Sequence, residues 1–324
     1  MTLTWSNFPK KELILHFLDY EARCNLRTCS KNDLALVDSI HYVPSRMKIS
    51  EISSRMDPEK SHIRLDIESF TIWFIGKHDK TRIERAWNEE LSEMAETKAE
   101  NRFDLFQRYV DRFLNNGTLE ADILLIKHVP IEPLDHWKIK VSSFILLSPG
   151  TPADYVINWL TKIDSQLKEL MVCNWTLEGV SEVPAVLEVS ERLHLSEAAD
   201  LTDEHLERLT ATGITISSLE ITLNGIKKAL ENHLKNGRRD DELIFCSNFP
   251  EDFDPVELFP NGLKFQKIEG TFPEDNIYKI LGGFENKHGV QDTRICRCSN
   301  TLFQVSLEPK KSKDHVHILW PFTF

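Results

Sequence analysis

The apolar positions along the chain follow three patterns. Near the amino end, Leu13, Ile14, Phe17 and Leu18 recur at i, i+1, i+4 and i+5. That spacing lines one face of a helix of about three turns. Pro9 stands before them, where a helix loses nothing by a missing N–H. Asp19 ends the stripe and suits the cap of a second helix, with Ala22 and Leu26 on its apolar face. Ser30 with Asp33 three residues on reads as the capping box of a third helix, which carries Leu34 and Val37. Helices this short are costly to nucleate and share too small a core to stand alone. They need a partner or a neighbouring domain.

The second pattern follows Met47-Lys48-Ile49, where a larger body begins. Residues 77–115 are rich in Glu, Lys, Arg and Ala, with Trp87, Leu91, Met94, Phe103, Phe106, Tyr109, Val110 and Phe113 at helical spacing. This predicts a helical middle segment whose aromatic stripe belongs to the core.

The third pattern is a recurrence of short apolar strand signals. They centre on Leu124, Ile145, Met171, His194, Glu220, Ile244 and Phe265, at steps of 21, 26, 23, 26, 24 and 21 residues. Helix signals lie between them at 152–170, 202–209 and 225–234. A period of about 20–29 residues is that of leucine-rich repeats. One stretch fits their pattern in full: Ile216, Leu219, Ile221, Asn224 and Ile226. In the repeat around Leu167, Leu170, Val172 and Leu177, Trp175 stands where the asparagine belongs. The expectation is an α/β chain with irregular repeat-like strand–helix units at about 120–270. A non-repeating α/β domain with evenly spaced strands remains the alternative. After Thr271, Leu302–Leu307 and Val316–Trp320 read as strands of a closing β cap over the last unit.

The residues of the first module resemble the F-box. Phe8-Pro9, Ile14, Phe17-Leu18-Asp19, Leu26-Arg27, Cys29, Leu34 and Val37 stand where that family has Leu-Pro, an apolar pair, Leu-Asp, Leu-Arg, Cys and a last apolar helix. Phe8 departs from the usual Leu but keeps an apolar knob. The stretch 26–39 is similar to the F-box at the head of many nematode proteins that continue into an F-box-associated region. The resemblance covers about residues 4–43. It implies an F-box at 1–45 and an α/β target-binding region at 46–324. It also implies contact with a Skp1-like adaptor through Phe8, Pro9, Leu13, Ile14, Phe17, Leu18, Leu26, Leu34 and Val37, and through that adaptor a cullin. The expected function is the substrate receptor of an SCF-type ubiquitin ligase, which recruits a target protein and does no chemistry itself. Without the resemblance, the same helices read as an ordinary cap on the next domain. The alternative function is an interaction module that does not act through ubiquitin transfer.

Composition narrows this picture. A formal charge of −12 argues against a general nucleic-acid binder, which needs a basic face. The acidity is uneven: 178–207 holds nine acidic residues and one arginine, and 240–257 seven acidic and no basic residues. In a stacked array, loops carrying Glu197, Asp200 and Asp203 would gather into one negative target-binding surface. The other reading of these runs is a solvated face. No apolar run approaches the ~20 residues of a membrane span. There is no signal-peptide core, and six scattered cysteines suit a reducing compartment. The expected location is cytoplasmic or nuclear. No nucleotide-binding, hydrolase or kinase motif is present, so no cofactor and no enzyme activity are expected. One constellation could hold zinc: Cys296 and Cys298, with His315 and His317, are two i, i+2 pairs that neighbouring strands would bring together. Packing on alternating strand faces explains the same spacing, and no metal is expected.

Overall fold

The structure is a computed structural model. It describes residues 11–52, 62–77, 80–87, 90–91, 95–128, 131–238, 241–250, 253–268, 276–297 and 302–308. The chain is mixed α/β and divides into two compact units, Met1–Val189 and Ser190–Phe324.

The first unit opens with three helices, α1 (Lys11–Leu15), α2 (Tyr20–Arg27) and α3 (Lys31–Ser39). The caps fall where the sequence placed them. Asp19 accepts the Ala22 N–H at 2.7 Å, and Ser30 Oγ accepts that of Asp33 at 3.1 Å. The first helix is shorter than its apolar stripe suggests. It stops at Leu15, and the Phe17 and Leu18 amides close tight turns onto the Ile14 and Leu15 carbonyls. The Asp19 cap, which must leave helical geometry, sets this limit.

Strands β1 (Arg46–Ile52), β2 (His62–Ile67), β3 (Phe70–Lys77) and β4 (Lys80–Trp87) follow, with short β5 (Glu90–Leu91) and β6 (Glu96–Lys98) beside β4. After α4 (Arg102–Asp111) come β7 (Leu114–Asn115), β8 (Thr118–Lys127), β9 (Lys138–Leu147), α5 (Ala153–Thr161), β10 (Glu169–Leu177) and α6 (Pro184–Leu187). The sheet runs β10-β9-β8-β1-β2-β3-β4. Its first four strands are parallel and the rest antiparallel. Among its described residues, the expected helical middle segment is therefore a helix only over Arg102–Asp111. Residues 80–87 form a strand with Thr81, Ile83 and Ala86 turned into the core. Met94 lies outside the described residues.

In the second unit, β11 (Arg192–Ala199), α7 (Asp203–Arg208), β12 (Gly213–Ser217), α8 (Leu223–Asn236) and β13 (Glu242–Cys246) alternate. Strands β14 (Phe265–Ile268), β15 (Asn276–Ile280), β16 (Phe284–Asn286), β17 (Gly289–Arg297) and β18 (Leu302–Glu308) complete it. β11, β12 and β13 are parallel and adjacent in chain order. β18 then pairs antiparallel with β13, followed by β17, β15 and β14. Antiparallel strands thus extend the sheet beyond the last parallel strand, and the strand expected at Phe265 belongs to them. The run 316–320 lies outside the described residues.

Hydrogen bonds tie the carboxyl ends of the parallel strands together. The His128 N–H donates to the Leu147 carbonyl at 2.9 Å, Ser148 N–H to Cys173 at 3.0 Å, and Ser218 N–H to Cys246 at 3.0 Å. Asn174 is wholly enclosed. Its Oδ1 accepts from Gly150 N–H at 3.1 Å, and its Nδ2 donates to the Thr151 and Thr176 carbonyls at 3.0 Å each. The asparagine that satisfies loop backbone groups is thus Asn174, next to Trp175. In the stretch that fits the repeat pattern in full, Leu219 is 71% exposed, and Asn224 lies exposed in the first turn of α8.

The three helices are mounted on the first sheet through Tyr20. Its ring lies 5.5 Å from Tyr42, 5.4 Å from Phe70, 6.3 Å from Trp87 and 5.5 Å from Phe113. Arg23 is buried below it and donates to the Leu15 carbonyl at 2.6 Å and the Ile40 carbonyl at 3.1 Å, its guanidinium 4.7 Å from the Tyr42 ring centre. Glu68 sits at φ 55°, a left-handed turn conformation that few residues other than glycine take. Its carboxylate accepts from Tyr42 O–H at 2.5 Å, Ser45 N–H at 2.9 Å and Ser45 O–H at 3.0 Å, and from the Tyr20 N–H. Burial by itself would raise this carboxyl, but these bonds outweigh it and hold it below the usual range. Truncating the ring should therefore cost much and removing its hydroxyl little. Tyr20→Ala is expected to lower stability by about 2–4 kcal/mol and Tyr20→Phe by under about 1.5 kcal/mol, read from urea unfolding. Equal losses would dismiss the ring packing as the mount.

A second prediction concerns pH. His233, on α8, is wholly buried, with Nδ1 2.7 Å from the Thr212 carbonyl oxygen. A carbonyl only accepts, so Nδ1 carries the proton, and the buried Nε2 has no partner. Burial pushes this imidazole down, against weaker opposing effects of the Thr212 carbonyl and Asp241. Burial also lowers His194 on β11. Both folded values lie below the unfolded value of about 6.5, so their contribution is complete above that pH and lost as pH falls. Urea unfolding should show stability dropping from about pH 7.5 to about pH 5.5, with a shallower drop in His233→Gln. A parallel profile for the variant would count against His233 as a source.

Candidate functional site: the exposed apolar face of the helical module

Small helical modules bury their few apolar side chains unless a partner covers them. Here Leu15 and Val37 are buried, yet Phe17 is 88% exposed, Leu13 55% and Leu34 38%. Ile14, Leu18 and Leu26 are half-buried. The local reason is the early stop of α1. Leu15 turns inward over Arg23, and the turn formed by Phe17 N–H on the Ile14 carbonyl leaves the Phe17 ring outside. Of the residues expected at an adaptor contact, Leu13, Phe17 and Leu34 lie open, Val37 is part of the interior, and Phe8 and Pro9 fall outside the described residues. Tyr20 and Arg23, which mount the module, were missed. An aromatic residue directly after the Asp19 cap was the available signal.

The acidic candidates do not form one free set. Asp203 accepts from Thr222 N–H at 2.8 Å and Thr222 O–H at 2.6 Å, so it joins α7 to the start of α8. A side chain at Gly225 would collide with this carboxylate, at 2.1 Å from its Oδ1. Asp200 is half-buried, and the side chain of Glu197 lies outside the described residues. In the second acidic run, Asp241 accepts from Arg238 N–H at 2.7 Å and Asp254 from Val256 N–H at 3.0 Å. Asp203, Asp241 and Asp254 thus hold main-chain amides of helix starts and turns.

Cys296 stands half-buried on β17 and, by strand alternation, on the face opposite the buried Arg297. Arg297 donates to the Pro250 carbonyl at 2.9 Å and to that of Phe253. Cys298, His315 and His317 lie outside the described residues. Among those described, no three His, Cys, Asp or Glu side chains gather as metal ligands do. A groove of about 500 Å³ lies between α7 and α8, floored by Leu206, Leu209 and Ala229 and rimmed by the Glu207–Lys228 ion pair. Its one carboxylate is neutralised by its one amine, which gives no acid–base pair. No helix among the described residues is long and apolar enough to cross a membrane.

No family model matches the chain, and no curated protein or solved structure matches it either.

The exposure pattern sets an expectation for stability. Leu13→Ser and Phe17→Ser should change the melting free energy by less than about 0.5 kcal/mol, as open surface positions do. Leu15→Ala should cost about 2–5 kcal/mol. Comparable losses at Phe17 and Leu15 would mean that Phe17 is packed.

Proposed function

We propose that the chain is the substrate receptor of an SCF-type ubiquitin ligase. Its first 45 residues would act as an F-box that docks on a Skp1-like adaptor, and its α/β body would hold a target protein. The observation that carries this reading is the exposure of Phe17, with Leu13 and Leu34, on a module that buries Leu15 and Val37. These are positions where the F-box resemblance puts adaptor contacts. The Asp19 and Ser30 caps support the same alignment. Receptor action is by proximity: binding raises the target's effective concentration beside the enzyme that the cullin holds. Such a mechanism gains from a rigid mount, and the Tyr20 ring cluster and the Glu68 hydrogen bonds supply one. We read the parallel strands of each unit as irregular leucine-rich-repeat-like turns, in which Asn174, Ser148 and Ser218 do the work of the repeat asparagine. Cytoplasm or nucleus is where such a ligase would act.

The test is capture by an immobilised Skp1-like adaptor. The wild type should be retained, and the double variant Leu13→Asp/Phe17→Asp lost by at least about a hundredfold, because two charges would be buried unpaired in the contact. Circular dichroism and melting should be unchanged in the variant. Equal capture of both proteins would overturn the proposal, as would no capture of the wild type.

A further inference from the structure

Among the described residues of the first unit, Trp175 is the largest side chain left open, at 66% exposure near the end of β10. It is not a loose surface residue. Gly150, at φ +83°, lies under its ring, where an added Cβ would come within 3.2 Å of the ring edge. The Gly150 N–H is held by the enclosed Asn174, the residue before the tryptophan. Asn174 also binds the carbonyls of Thr151 and Thr176, on either side of the site. One side of the indole thus rests on immobilised main chain, and the rest faces solvent. An aromatic ring ordered before any partner arrives gives up little entropy on binding, which is the character of an interface anchor.

The charge of the two segments that meet at this site selects the partner. Segments 148–161 and 173–189 contain no Lys or Arg but carry Asp154, Glu178, Glu182 and Glu188, all exposed. They flank the same part of α5. Gly179 packs on Ile157, where a Cβ would lie 2.9 Å from Ile157 Cδ1. Asp154 is one helical turn before Ile157, and Pro152 caps the helix two residues after Gly150. No described cation pairs with any of the four carboxylates. A guanidinium or ammonium group is drawn both to the face of an indole and to carboxylates. A nucleic acid would be repelled by the same charges, and a second copy of a chain of net charge −12 would be disfavoured.

We propose that Trp175, with Asp154 and Glu178, is the docking point for a basic, arginine-bearing segment of a target protein. The proposal rests on the reading of the body as a target-binding region, and names the chemistry that it reads. The probe is a fluorescently labelled peptide of alternating glycine and arginine, with its glycine–glutamate counterpart as control, followed by anisotropy on the full chain. The arginine peptide should bind and the glutamate peptide should not. Affinity should fall at least about tenfold in Trp175→Ala, and less in Trp175→Phe, which keeps a ring face. It should also weaken in Asp154→Asn/Glu178→Gln and with rising salt. Binding unchanged in Trp175→Ala, or shared by the glutamate peptide, overturns the site. Adaptor capture of Trp175→Ala separates the two proposals. Adaptor retention without Trp175-dependent peptide binding overturns this site alone. Trp175-dependent peptide binding without adaptor retention overturns the ligase reading and leaves this site standing.

Discussion

Helices of five, eight and nine residues cannot stabilise one another with the apolar surface they own. In this chain the deficit is met where the Tyr20 ring packs against Phe70, Trp87 and Phe113 of the body and against Tyr42 in the segment after α3. The constraint is two-sided. The ring fixes the start of α2 laterally, and the Glu68 carboxylate holds the Tyr20 N–H together with Tyr42 and Ser45. Glu68 adopts a turn conformation unfavourable for its type, and the hydrogen bonds it gathers there offset that cost. With α2 fixed, Arg23 binds the ends of α1 and α3. Phe17, which has no place in this arrangement, is left facing solvent. The exposure on which the functional reading rests is therefore a consequence of how the module is mounted.

Local signals in the sequence were reliable where the physics is local. Asp19 and Ser30 cap the helices they were expected to cap, because a short polar side chain satisfies amide groups two or three residues away whatever the tertiary context. The extent of α1 was not legible from its stripe, since the neighbouring cap competes for the same residues. The segment 80–87 was misread because its Lys, Arg, Glu and Ala composition favours helix. Its alternation of Thr81, Ile83 and other residues carried the opposite message and matched the side chains of β3. A stronger signal was passed over. Asn116-Gly117, both at positive φ, turn β7 into β8 as a two-residue hairpin, the connection that this dipeptide favours.

The spacing of the strands was legible, the motif was not. Strands lie at Leu124, Ile145, Met171, His194, Ile244 and Phe265 as expected, but the one expected at Glu220 ends at Ser217. Ile216 to Ile226 matched a pattern of residue types, but Leu219 and Asn224 lie beyond the strand, at a turn and at a helix start. Asn174 escaped the pattern by one position. What it satisfies are the backbone groups of the loop after β9, contacts between residues 23 and 24 apart in sequence. Nothing in the chain near Asn174 announces such partners.

That same asparagine shows how a structural need can produce a binding surface. The end of a parallel strand leaves amide and carbonyl groups that must be paired. Asn174 pairs them by turning inward, and strand alternation then turns its neighbour Trp175 outward. Gly150 donates its N–H to Asn174, and its missing side chain leaves room for the edge of the indole. The placement of Trp175 thus follows from satisfying the backbone, without any separate arrangement for a ligand. That need does not call for Asp154 and Glu178, which bind no described cation. Asp154 stands in the first turn of α5, where a negative charge suits the helix start, but Glu178 holds no described N–H, and this separates it from the acids at Asp203 and Asp241, whose carboxylates hold main-chain amides of the chain's own helices and turns.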